Sequence, residues 1–213
     1  MTEEVPVMTA EPLLVPVGHD AGARHAAGGG CHQIRAGLDL AELREPEYIV
    51  WLVAHGTDAQ APATRSSVLR DATELELSAA DVTTITDRLI ADGLLAEVFP
   101  EADAAVDFAR QHQLVPLMLG LGPDPEQPAL QTIGLYGRPV LQVSDAVFDV
   151  WEWAQLTPHL WFACEDAAEV ARRSGVTAPQ EVDPRGVLAG LLRSVHGLLC
   201  SRAAYLDRRE LAG

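Results

Sequence analysis

The chain has no lysine: all 15 of its cationic side chains are arginine, set against 31 acidic residues. Without a lysine amine there is no Schiff-base chemistry, and the phosphate-binding lysine of a P-loop is missing too. The plain reading of an alanine-rich, lysine-free composition is a GC-rich, bacterial coding sequence. Selection against a modifiable amine would leave the same trace. Cation is scarce overall, and the formal net charge of −16 gives a field that repels polyanions at long range, so nucleic acid is an unfavoured partner. Cysteine is scarce as well. Cys31, Cys164 and Cys200 are odd in number and widely spaced, which is no disulfide framework and suits a reducing compartment. No apolar run reaches the length of a membrane span, and the acidic start Met1-Thr2-Glu3-Glu4 lacks the cationic region of a signal peptide, so a cytoplasmic location is expected.

What the chain does contain is apolar material sufficient for a core, 48% of its residues, and an internal repeat. Leu14-Val15-Pro16 recurs as Leu114-Val115-Pro116, Gly22 as Gly122, Gly37 as Gly137, Val50-Trp51 as Val150-Trp151, and Ala54 as Ala154. These are eight identities over the 41 positions from 14 to 54, where composition alone gives about one in fifteen. Leu40, Leu43, Glu45 and Tyr48 face Val140, Val143, Asp145 and Phe148 at the same offset.

Each copy reads as two or three strands followed by three helices. The strand material is Leu13 to Val17 and Ile34 to Leu43, then Leu114 to Leu121 and Leu130 to Val143, broken by Gly28-Gly29-Gly30 and by Pro123, Pro125 and Pro128. Short helices are expected at 65–70 and 165–172. The third helix is capped by Ser78 in one copy and by Asp183 with Pro184 in the other. Gly93-Leu94-Leu95 and Gly197-Leu198-Leu199 read as matching helix stops. The fold class expected is α+β: two tandem winged-helix-like units, 1–100 and 113–213, joined by a helical connector at 101–112.

The stretch Gly137 to Ser144 running into Val147-Phe148-Asp149-Val150-Trp151 resembles the PqqD-like family of peptide-recognition domains. The resemblance covers about 90 residues of each copy, though a tandem copy departs from the family's usual arrangement. It implies a leader-type peptide added as a strand beside Val140, Leu141, Gln142 and Val143 and packed on the third helix at Leu188, Leu191 and Arg193, in a peptide-modification pathway. An exposed Trp153, off the face of Trp151, would mark partner surface. Trp51 and Trp151 read as core anchors.

Residues 18–32 gather His19, His25, His32, Cys31 and Asp20, donors that a zinc ion accepts. Their spacing fits no standard site and the second copy has no counterpart, so a hairpin loop is the reading, with no metal or cofactor expected. No nucleophile elbow or other assembled catalytic set is present, and Cys164 sits in an apolar run as a small core residue. The function expected is a non-enzymatic adaptor for a peptide or protein partner. The alternative is a winged-helix DNA-binding regulator using Arg185, Arg193, Arg202, Arg208 and Arg209 of the second unit, where Asp183, Asp207 and Glu210 interleave. An acidic DNA mimic and a zinc enzyme rank below it.

Overall fold

The computed structural model describes residues 11–26, 29–58 and 61–209. The fold is α+β, with eight α-helices and antiparallel strand pairs among those residues. The first copy runs β1 (Leu13–Pro16), β2 (His19–Ala26), β3 (Gly29–Ala36), β4 (Asp39–Leu43), α1 (Glu45–Val53), α2 (Arg65–Glu74), α3 (Ala79–Ala91) and β5 (Leu95–Val98). A connector helix, α4 (Asp103–Gln111), leads into β6 (His112–Pro116), β7 (Leu119–Pro123), β8 (Leu130–Leu135) and β9 (Arg138–Ser144). The second copy's helices are α5 (Asp145–Trp153), α6 (Leu160–Arg173), the short α7 (Pro179–Val182) and α8 (Pro184–Cys200), and β10 (Ala204–Arg208) closes it.

The repeat is a repeat of structure. Each copy has a three-stranded antiparallel sheet, β2-β3-β4 or β7-β8-β9, and a separate ribbon in which its first strand pairs its last, β1 with β5 and β6 with β10. Pairing slips by a residue between Asp20 and Gly22 and again between Gly120 and Gly122. Gly22 and Gly122 have φ of +100° and +89° there, a conformation glycine adopts without strain, so the shared glycine encodes a shared bulge. Ser78, Ser144 and Asp183 cap α3, α5 and α8 by accepting from backbone N–H groups, which ties each helix start to its sequence.

Three sequence expectations change. The His- and Cys-bearing stretch is two paired strands, β2 and β3, rather than a loop; Ala27 and Gly28 lie outside the described residues. Gly197 does not stop a helix: α8 continues to Cys200, because its buried apolar face outweighs one glycine's propensity. The true counterpart of Gly93 is Arg202. Gly93 and Leu94 donate to the carbonyls of Ile90 and Leu89, and Arg202 and Ala203 donate to those of Leu199 and Leu198 in the same pattern. Finally, β5 and β10 had no local signal, being short strands whose partners lie far away in sequence.

Two cores result, and β1 serves both. Leu14 and Leu95 face the first core with Ile34, Trp51 and Leu89, while Leu13, Val15 and Val98 face the second with Trp151, Leu188 and Leu206. Alternation along a strand divides the ribbon in this way. The units are also tied by polar contacts. Gly18 N donates to Leu206 O at 2.7 Å, Arg35 donates to Asp207 (2.9 Å) and to the Tyr205 hydroxyl (2.7 Å), and Arg208 donates to Asp92 O and Gly93 O.

Candidate functional site: a groove built twice

The strand β9 ends its sheet, so one of its edges is unpaired by β8, and it runs directly into the capped first turn of α5. Beside that junction passes α8. Its residues Val187, Leu188, Leu191, Leu192 and Val195 are buried in the core. The stripe Gly186, Gly190, Arg193 and Ser194, at helical spacing, faces a groove of about 470 Å³ instead. Val147 and Val187 line its apolar part; Ser144, Asp145, Gln180 and Glu181 supply polar groups.

Of the residues expected at a peptide site, Val140, Leu141, Gln142 and Val143 do lie on the terminal strand β9. Val140 is exposed at 42%, Val143 is buried, and Gln142 donates to Asp124 in the β7–β8 connection. Arg193 lines the groove and is ion-paired to Glu101 at 2.5 Å. Leu188 and Leu191 correct the expectation: each is 1% exposed, inside the core, so the helix offers its glycine stripe rather than its leucines. Trp153 is exposed at 54% but borders a different cavity with Asp149, Thr157, Asp166 and Val170. There burial, with Asp145 and Glu152 nearby, raises the Asp149 pKa.

The first copy has the equivalent groove, about 350 Å³, between α1 and α3. With the stops Gly93 and Arg202 matched, Leu77, Asp81, Thr84 and Ile85 stand where Gly186, Gly190, Arg193 and Ser194 stand in the second. Arg44, Pro46 and Glu47 replace Ser144, Ala146 and Val147. The contents differ decisively. Glu47, 2% exposed, accepts from Arg44 N (2.8 Å), Arg44 Nη2 (2.6 Å) and Arg88 Nη1 (2.7 Å). Burial alone would raise its pKa, but the Arg44 hydrogen bonds and the Arg88 charge outweigh that and hold the carboxyl below its ordinary range. A knot of three charged groups therefore lines the first groove, whereas the larger second groove has Val147 and the open position Gly190 in their place.

The two glycines differ in what a side chain would meet. A Cβ on Gly190 meets nothing within 4 Å, but one on Gly186 falls 2.6 Å from Gln180 O and 2.7 Å from Gln180 Cα. Gly190→Ala is expected to stabilise by about 0.5–1 kcal/mol through helix propensity. Gly186→Ala is expected to destabilise by about 1–3 kcal/mol by displacing α7. Urea midpoints of the two variants should move in opposite directions; equal shifts would refute the assigned packing.

The histidines of the 18–32 stretch diverge. His19 packs on Tyr205 with ring centroids 4.7 Å apart, His32 stacks on Tyr48 at 3.6 Å, and the side chain of His25 is outside the described set. Among the described residues no three His, Cys, Asp or Glu side chains converge as metal ligands. Sequence reasoning missed the glycine stripe of α8, although Gly186 and Gly190 at i and i+4 were its signal. Compared with known proteins, the chain matches no family model, no curated sequence and no solved structure.

Proposed function

We propose that the chain is a non-enzymatic adaptor. It binds an extended peptide or protein segment along the free edge of β9, with side chains of that segment seated in the groove between α5 and α8. The observation that carries this reading is the comparison within the molecule: one groove is built twice, lined by the ion cluster of Glu47, Arg44 and Arg88 in the first copy, and larger and free of such a cluster, with open space at Gly190, in the second. An unpaired strand supplies backbone hydrogen bonds to an added strand, and the adjoining groove selects its side chains. The resemblance to PqqD-like domains points to the same mode and to a peptide-modification pathway. Asp145 and Glu181 at the rim, in a chain of net charge −16, favour a neutral or basic segment. DNA reading by α8 is disfavoured because Arg185 and Arg193 are already paired, to Asp103 at 2.6 Å and Glu101 at 2.5 Å.

The test is selection of a random peptide library on the full chain at about 0.3 M salt, where exposed charge is largely screened. Titration of the enriched peptides into wild type and Gly190→Leu follows. A Cβ at this position meets nothing within 4 Å and the rest of the leucine enters the groove; an unchanged urea midpoint checks that the fold is kept. Binding should weaken at least tenfold. Equal affinity for both proteins, or no enriched peptide at all, would overturn the proposal.

A further inference from the structure

A second cavity, sharing no residue with the groove, lies where the two units meet. It measures about 350 Å³, within the range of small-molecule sites, which favour such junctions. The first unit contributes Asp20, Trp51 and His55, and the second contributes Leu117, Leu199 and Arg202.

Arg202 is the unusual member. Its φ is +56°, the left-handed conformation that Gly93 holds at +68° in the first copy. A side chain there costs roughly 1 kcal/mol or more relative to glycine. Glu76 shares the conformation, at +68°, but lines no such cavity. In a chain of 31 acidic residues Arg202 makes no ion pair among the described residues; its side chain hydrogen-bonds the Tyr48 hydroxyl, and Asp20 feels its charge.

At the same cavity stands a site of the opposite sign. Asp20 accepts from the Tyr48 hydroxyl at 2.7 Å through one oxygen and from Gly22 N at 2.8 Å through the other, and each oxygen keeps a further lone pair. The carboxy-terminal end of α1 reaches the cavity at Val53, adding partial negative charge. Between the charged groups the wall is apolar: Trp51, Leu117 and Leu199.

We infer that this inter-unit cavity binds a free α-amino acid with an apolar side chain. Arg202 takes the carboxylate, Asp20 and the end of α1 take the ammonium, and Trp51, Leu117 and Leu199 cover the side chain. The left-handed arginine is then strain kept for the ligand, and the glycine of the other copy is the unstrained alternative.

Calorimetric titration of the full chain with L-leucine, L-valine and L-phenylalanine tests this. The same titration uses 4-methylpentanoate, which lacks the ammonium, and 3-methylbutylamine, which lacks the carboxylate. At least one amino acid should bind saturably, and both leucine analogues should bind at least tenfold more weakly than it does. Arg202→Gly should abolish binding while leaving the melting temperature unchanged or higher. No binding by any of the three amino acids, equal binding of the analogues, or undiminished binding by Arg202→Gly would overturn the inference. Because groove and cavity share no residue, peptide binding by Gly190→Leu is read separately.

Discussion

Trp151→Ala should cost about 3–5 kcal/mol of folding stability, a large part of the 5–15 kcal/mol typical of a whole domain. The indole is 1% exposed, tilts against Phe148 with centroids 5.5 Å apart, and donates through Nε1 to Ala203 O at 3.0 Å. Truncation removes the ring, leaves a cavity and takes one of the two hydrogen bonds from the Ala203 carbonyl, which keeps the one from Leu117 N. Trp151→Phe keeps most of the packing and loses the hydrogen bond, so it should cost distinctly less. Because β1 lends Leu13 and Val15 to this core and Leu14 to the other, both units should unfold together in one urea transition. A loss below about 1 kcal/mol for the alanine variant would contradict the core assignment.

Mild acid should destabilise the protein well before its carboxylates titrate. Three histidines are held neutral. Burial pushes the His55 pKa down from 6.5 to about 4, against the pull of its hydrogen bond to Trp51 O at 3.0 Å. Burial likewise lowers His112, whose Nδ1–H donates to Phe108 O at 2.7 Å. It also lowers His196, whose Nε2–H donates to Leu14 O at 3.1 Å while buried Nδ1 has no partner among the described residues. A histidine with a depressed folded pKa binds more protons when unfolded, so its contribution is complete above the unfolded value near 6.5 and is lost as pH falls towards the folded value. His55 is only partly buried and lines the inter-unit cavity, so the drop to about 4 corresponds to at most about 3 kcal/mol. Urea midpoints should be level above about pH 7 and fall steadily between about pH 6.5 and 4. His55→Gln should flatten the slope. A level profile down to about pH 5 would refute the burial assigned to these rings.

The repeat was legible because its markers answer to local physics. Gly22 and Gly122 mark a bulge, Ser78, Ser144 and Asp183 cap helices, and Trp51 and Trp151 anchor cores, each readable from one position and its neighbours. Gly197 misled for the complementary reason. A Gly-Leu-Leu triplet ends α3 but lies inside α8, where tertiary burial of Val195, Leu198 and Leu199 carries the helix past it to Arg202. Leu188 and Leu191 misled because an apolar stripe shows that a face is covered, not whether the chain or a partner covers it.

By itself the sequence determined the α+β class, the order of most elements, the duplication with its connector helix, and the strand Val140–Val143 that now ends a sheet. Tertiary structure alone decided the rest. It paired β1 with β5 and β6 with β10, shared β1 between two cores, lined one groove with the Glu47 ion cluster and left its larger twin without one, and brought Arg202 and Asp20 to one cavity between the units. The physical reason is separation along the chain. Periodicity, caps and turns act over a few residues, whereas strand partners, buried charge and cavities are settled by which distant surfaces bury one another.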